Sequence, residues 1–261
     1  SRLALLHAAG VERADLVVEG EVAYESALEQ TRRLVPATIA PSLSGIPGIA
    51  AVTPRLEEVA VILGPDGEAL VSPGLSEQPL GSNWPEDDEM SPYRFVGDGR
   101  APRGAGEVVI DERSARSAGV EVGDQVVVVG KAEARSYEVV GIVTTAQGEL
   151  PSGSSLALFS TDEARSLFQS PDNDNRVAIR LEPGADPDEV AAAVRAVLPP
   201  GAEVVDGVTG AQHRQESITR SFTLIRVLIT GFALLALVVG MVTVANSLTL
   251  LYSERRRTFA A

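Results

Sequence analysis

The chain has 261 residues, 44% of them hydrophobic and 22% charged, with two histidines and no cysteine. That length admits one large domain or two small ones, and that apolar content excludes a disordered chain. A net charge of −14 argues against a nucleic-acid binder, which needs a basic face for phosphates, and the lack of cysteine excludes disulfides, Cys-ligated zinc and iron–sulfur clusters.

In chain order, residues 14–18 predict a strand, residues 23–34 a polar helix, and residues 49–62 a strand entered through residues 38–43 and a turn at Gly45, Ile46, Pro47 and Gly48. A strand-rich stretch follows. Residues 61–63 and 69–71 flank Gly64-Pro65-Asp66-Gly67, a hairpin signal. Apolar runs at 107–110, 125–129, 137–144 and 156–159 predict strands. Residues 111–118 predict a short helix, and residues 161–168 a second one with Thr161 as its cap.

Beyond it, residues 176–181 predict a strand and residues 186–198 a helix. Asp186, Asp188 and Glu189 suit that helix's N-terminus, and Val190, Ala193, Val194 and Val197 form its apolar face. Pro199, Pro200 and Gly201 end it before a strand at 202–205. The segments before and after the insert both read strand, helix, strand. They predict an α+β fold of two interleaved strand-helix-strand units sharing one sheet, with a β-rich subdomain inserted between them. The expected divisions are 1–59 and 172–208 for the α+β part, 60–171 for the insert, 209–226 for a stalk helix, 227–253 for a membrane helix and 254–261 for a terminal segment.

The tail differs from the body in charge. From Thr209 onward six Arg and two Glu leave +4, so the first 208 residues carry −18. Residues 227–253 hold no charged side chain. As a helix at about 1.5 Å per residue they span roughly 40 Å, more than the ~30 Å hydrocarbon core of a bilayer. A buried helix of a globular domain rarely runs so long without a charge. A secretory signal is excluded by position, and a GPI signal would not end in Glu254, Arg255, Arg256 and Arg257. Clustered Arg favours the cytoplasmic side, which places the acidic body outside the cytoplasm. Ala233, Ala236, Gly240, Thr243 and Ser247 recur at steps of three and four, with Asn246 beside them. Such a stripe lets helix backbones approach closely and hydrogen-bond in lipid.

Other clusters read as structure. Arg100 and Arg103 in the Gly99–Gly106 stretch lack the Lys and Ser/Thr of a phosphate loop and precede a strand, so the stretch reads as a turn. Asp172, Asn173, Asp174 and Asn175 lack the Gly and distant Glu of a calcium loop and read as a solvated turn. Glu86, Asp87, Asp88 and Glu89 read as a solvated acidic loop able to attract a cation or a basic partner. No Gly-x-Ser-x-Gly elbow is present, and no constellation supports catalysis. No cofactor is expected.

The run from Ser221, Phe222, Thr223 and Leu224 through Asn246, Ser247, Leu248 and Thr249 to Glu254, Arg255, Arg256, Arg257, Thr258 and Phe259 resembles the FtsX-like permease domain of MacB-type ABC transporters. Gly99-Arg100-Ala101-Pro102, Gly106-Glu107-Val108-Val109-Ile110-Asp111 and Ala118-Gly119-Val120-Glu121-Val122-Gly123-Asp124 are similar to a pattern common in the extracytoplasmic core domains of that family. The resemblance implies a cell-membrane permease subunit with most of the chain extracytoplasmic. It implies an ABC ATP-binding subunit as partner, a second permease copy or paralogue in a dimer, and an extracytoplasmic protein or lipoprotein partner. ATP hydrolysis would belong to the ATP-binding subunit. Contact with it would come from Glu254, Arg255, Arg256, Arg257 and Phe259, with Thr258 where an acidic residue is frequent. The resemblance further implies that the sequence is a fragment lacking a first span and later ones. The competing expectation is a single-span anchored interaction or sensor domain with no transport role.

Overall fold

The structure, a computed structural model, describes residues 13–25, 30–70, 79–131, 133–145, 155–211 and 241. All of these except residue 241 belong to one compact unit. It opens with β1 (Leu16–Gly20), β2 (Val22–Glu25), β3 (Gln30–Arg32), β4 (Val35–Pro36), helix α1 (Ile39–Leu43) and β5 (Ile49–Arg55). The chain continues through β6 (Glu57–Val59), β7 (Val61–Leu63), β8 (Leu80–Asn83), β9 (Tyr93–Phe95), β10 (Glu107–Asp111), α2 (Glu112–Ala118), β11 (Gln125–Val129) and β12 (Arg135–Thr145). Last come β13 (Leu156–Phe159), α3 (Thr161–Leu167), β14 (Asn173–Asp174), β15 (Arg176–Leu181), α4 (Pro187–Val197) and β16 (Ala202–Asp206). The fold is mixed α+β.

The smaller sheet has the order β16-β1-β15-β5, antiparallel throughout. Side chains alternate faces along each strand. One face carries Leu16, Val18, Val177, Ile179 and Val204, which pack on Ile39 and Leu43 of α1 and on Val190, Ala191 and Val194 of α4. The side chain of Asp186 accepts from Asp188 N at 2.9 Å, and Pro187 opens α4, so the helix starts where its orphan donors are met. Its buried face is Val190, Ala191 and Val194. Ala193 and Val197, expected on that face, are exposed, because the sheet meets the helix one step around from the predicted stripe.

The larger sheet has the order β6-β8-β13-β10-β12-β11-β7, with β9 beside β12. Its end strands β6 and β7 are separated in sequence by Ala60 alone. The two ends must therefore meet, and the sheet curls round on itself. Ile62, Val108, Ile110, Val128, Tyr137 and Phe159 fill the inside. Gly81 lines this core because a Cβ there would stand 2.5 Å from the Ala60 Cβ. Asp111 starts α2, its carboxylate accepting from Ser114 N at 2.9 Å and from Leu156 N at 2.8 Å, and Gly119 ends it in the left-handed region at φ 64°.

Several expected elements differ. Residues 22–32 contain the hairpin strands β2 and β3 rather than a helix; Val22 pairs with Arg32 and Tyr24 with Thr31. The strand expected at 49–62 is three strands, broken at Leu56 and Ala60, because the chain leaves the small sheet after Arg55 and enters the large one at Glu57. Ser160, not Thr161, caps α3 by accepting from Glu163 N. The hairpin expected around Gly64-Pro65-Asp66-Gly67 is reduced, among the described residues, to an isolated bridge between Leu63 and Ala69. Residue 71 lies outside the described residues.

Candidate functional site

The described chain leaves the small sheet at one corner. β16 pairs with β1 so that Asp206 faces Leu16, and residues 207–211 are helical. Asp206 accepts from Val208 N at 3.1 Å and Thr209 N at 3.0 Å through one carboxylate oxygen, and from the Thr209 hydroxyl at 2.6 Å through the other. The cap satisfies the first free N–H groups of the turn. Gly207 N donates to Asp15 O at 2.9 Å. A Cβ on Gly207 would stand 1.9 Å from Ala14 O, so the backbones touch at a distance only glycine permits. One turn later a Cβ on Gly210 would meet Val17 at 3.2 Å.

The same Asp15 ties the corner inward. Its N donates to Ile179 O at 2.9 Å, and its carboxylate accepts from Leu181 N at 2.8 Å. A cleft of about 390 Å³ lies between the corner and α4, lined by Asp15, Pro187, Asp188, Arg195, Val205 and Thr209 among others. Hydrogen bonds thus join the helical turn to β1, and β1 to β15, at the centre of the small sheet. Among the described residues no three His, Cys, Asp or Glu side chains gather as metal ligands.

A second constellation joins the two sheets where the chain crosses between them. Asn83, fully buried, donates to Pro54 O at 2.8 Å and to the Thr161 hydroxyl at 3.2 Å. Its side-chain oxygen accepts from Leu56 N at 2.9 Å, and its backbone oxygen accepts from Arg55 at 2.8 Å. Arg176 holds Glu57 by two bonds of 2.7 and 2.5 Å, and Asn175 accepts from Glu57 N at 2.8 Å.

The clusters read as turns and loops take these places. Arg100 grips Glu107 by two bonds, and Arg103 N donates to the same carboxylate at 2.7 Å. The Arg100 guanidinium, then the Arg103 amide, hold the Glu107 carboxyl down at about 2. The stretch is a turn closed on its own acid. Residues 172–175 are not a solvated turn: Asp174 is fully buried, pairs in β14 with Val35, and lies 2.7 Å from Arg165. Burial raises its carboxyl above the usual range, and Arg165 opposes the rise. Nor is the acidic loop at 86–89 simply solvated, since Arg180 donates to Asp87 at 2.9 and 2.7 Å and lies 3.2 Å from Glu89.

The expected helix-packing residues Ala233, Ala236, Gly240, Thr243, Asn246 and Ser247 lie outside the described residues, as do Glu254, Arg255, Arg256, Arg257 and Phe259. Among the described residues no helix is long and apolar enough to cross a membrane. The corner was not singled out from the sequence. Its signal was present all the same: Asp206-Gly207-Val208-Thr209 follows a strand and carries a capping acid at the right place.

The family of MacB-like periplasmic core domains matches residues 10–197. Among solved structures the fold is similar to the periplasmic region of MacB from Actinobacillus actinomycetemcomitans, at 12% identity and a TM-score of 0.56, over 79% of this chain and 94% of that one. It is also similar to the extracellular domain of the noncanonic ABC-type transporter YknZ from Gram-positive bacteria, at 12% identity and a TM-score of 0.50, over 73% of this chain and 99% of that one. No curated protein matches the chain.

Proposed function

The chain belongs to the family of MacB-like periplasmic core domains, and from that membership we propose that it is a permease subunit of a MacB/FtsX-type ABC transporter. It couples ATP hydrolysis by a cytoplasmic partner to motion of its extracytoplasmic domain, for export or for mechanical control of another protein. The family match over residues 10–197 carries this reading. The joint at Asp206 and Gly207 supports the coupling part, because a push along a capped, glycine-seated turn is delivered to the sheet rather than lost in a loose linker.

In this reading the body, with its α+β part at 1–59 and 172–208 and its insert at 60–171, lies outside the cytoplasm. Residues 209–226 form the stalk and residues 227–253 the span in the cell membrane. Ala233, Ala236, Gly240, Thr243, Asn246 and Ser247 pack against neighbouring membrane helices in a dimer with a second copy or paralogue. Glu254, Arg255, Arg256, Arg257 and Phe259 contact the ATP-binding subunit. The permease is not itself an enzyme; the hydrolysis belongs to its partner. An extracytoplasmic protein or lipoprotein is the target of the motion.

The test is purification of the chain from membranes, followed by an ATPase assay of whatever co-purifies. The expected result is an ATP-binding subunit whose hydrolysis falls when Arg255, Arg256 and Arg257 are replaced by Ala. Recovery without any ATPase, together with unchanged behaviour of Gly240→Leu, would instead identify an anchored sensor domain.

A further inference from the structure

The four-stranded sheet has one face covered by α1 and α4, and another that none of α1 to α4 covers and on which the helical turn at 207–211 seats Gly210 beside Val17. The residues of that second face follow from the register: Val17 lies opposite Ala178 and Val205, Ala178 opposite Thr53, and Arg180 opposite Ala51. It is a face of small side chains with arginine at its rim. One element of the other lobe lies on it, the loop at residues 84–91. Trp84 N donates to Phe159 O at 2.7 Å and roots the loop in the large sheet. Met90, fully buried, packs with Ala14, Val17 and Ala178, and its backbone oxygen accepts from Arg13 N at 3.2 Å. Arg180 holds the loop by its two bonds to Asp87 and its pairing with Glu89.

We propose that this loop is a latch between the two lobes, closed by Arg180 on Asp87 with Met90 as its plug, and able to open while the chain crossings stay pinned. Two contrasts support it. The crossing around Asn83 and Arg176 is made of buried bonds to backbone and of a two-bond ion pair at the point where the chain itself passes. The loop is covalently remote from β15, and its hold is mostly ionic. The helix-covered face buries many large aliphatic side chains, which resist separation in any salt, whereas the latch buries one methionine against Ala14, Val17 and Ala178 and relies on charges that salt screens. Opening the latch changes the angle between the lobes about residues 55–57 and 173–176. The latch belongs to the folded body and does not rest on the coupling reading.

The chain has no cysteine, so two can be introduced cleanly. The experiment takes the full chain in detergent with Glu121→Cys in the large lobe and Glu189→Cys on α4, both exposed. Spin labels there report the lobe-to-lobe distance by pulsed electron double resonance. The expected result is a single narrow distribution at low salt that gains a shifted population at high salt. Arg180→Gln should show the shifted population already at low salt. The charge swap Arg180→Asp with Asp87→Arg should restore the narrow distribution, and Asp88→Asn, altering the exposed acid beside it, should leave it unchanged. Circular dichroism confirms folding, and Asp87→Asn probes the same contact if Arg180→Gln does not fold. An unchanged distribution in the folded variant at both salts overturns the latch. So does failure of the swap to restore the narrow distribution.

Discussion

The two faces of the small sheet are built from the same strands and held in different ways. On β15 the residues Val177, Ile179 and Leu181 go one way, into aliphatic packing against α1 and α4. Arg176, Ala178 and Arg180 go the other way, toward the second lobe, where the partners are Glu57, Met90 and Asp87. A period of two thus encodes, in six consecutive residues, an aliphatic attachment to the helices and a charged one to the second lobe, in which Arg176 belongs to the pinned crossing and Arg180 to the proposed latch. The first gains its strength from area removed from water, the second from hydrogen-bonded charges, of which Arg176 is buried and Arg180 partly exposed.

Substitutions can break this comparison in graded steps. The largest effect is expected on the aliphatic face, where Ile179→Ala should cost about 2–5 kcal/mol in chemical denaturation, with little dependence on salt. Next comes the joint: Gly207→Ala forces a Cβ against the Ala14 carbonyl oxygen and should cost about 1–3 kcal/mol, while raising hydrogen exchange at the amides of residues 208 and 209. Removing the ionic hold with Arg180→Gln should cost about 1 kcal/mol at low salt and less as salt rises, the opposite of the salt-indifferent aliphatic variant. An effect of equal size and equal salt dependence at Ile179 and Arg180 would erase the distinction between the faces.

The smallest effect expected sharpens the ionic side through pH. Glu107 ionises near 2 in the folded chain, against an ordinary value of 4.5, because Arg100 and the Arg103 amide hold its carboxylate. A depressed carboxyl adds stability that is complete above the unfolded value and is lost as pH falls toward the folded one. Unfolding followed from pH 4.5 down to about 2 should therefore show a shallower loss in Glu107→Gln than in the wild type. Parallel curves would show that the Arg100 pair is not felt in stability.

What the residues disclosed on their own depended on locality. The valine run at 125–129, the apolar run at 156–159 and the alternation of 176–181 are β11, β13 and β15 with the expected bounds, since each carries its pattern within itself. The α2 helix was legible as the run 111–118, and the structure adds that Asp111 caps it and Gly119 ends it. Residues 23–34 misled because the hairpin is exposed: Tyr24 and Val22 face solvent, so no burial pattern of period two marks them, and their neighbours are good helix formers. The run at 49–62 misled for another reason. Apolar continuity says a residue is buried but not in which sheet, and the chain changes sheets at Leu56. Arg176 and Arg180 were visible as charges four apart on one strand face. Asp87, the partner of Arg180, lies 93 positions away, and no local pattern points to it. Of the corner, the capping acid was readable, whereas the need for Gly207 appears only once Ala14 is seen beside it.

The central claim is that ATP binding or hydrolysis by a partner moves the folded body. Its most direct test places a spin label at Glu189→Cys in the full chain, reconstituted in lipid with the ATPase that co-purifies, and measures the distance between copies with and without ATP. The account predicts an ATP-dependent shift that disappears when Arg255, Arg256 and Arg257 are replaced by Ala. A distance indifferent to ATP, or a shift that survives those replacements, would contradict it.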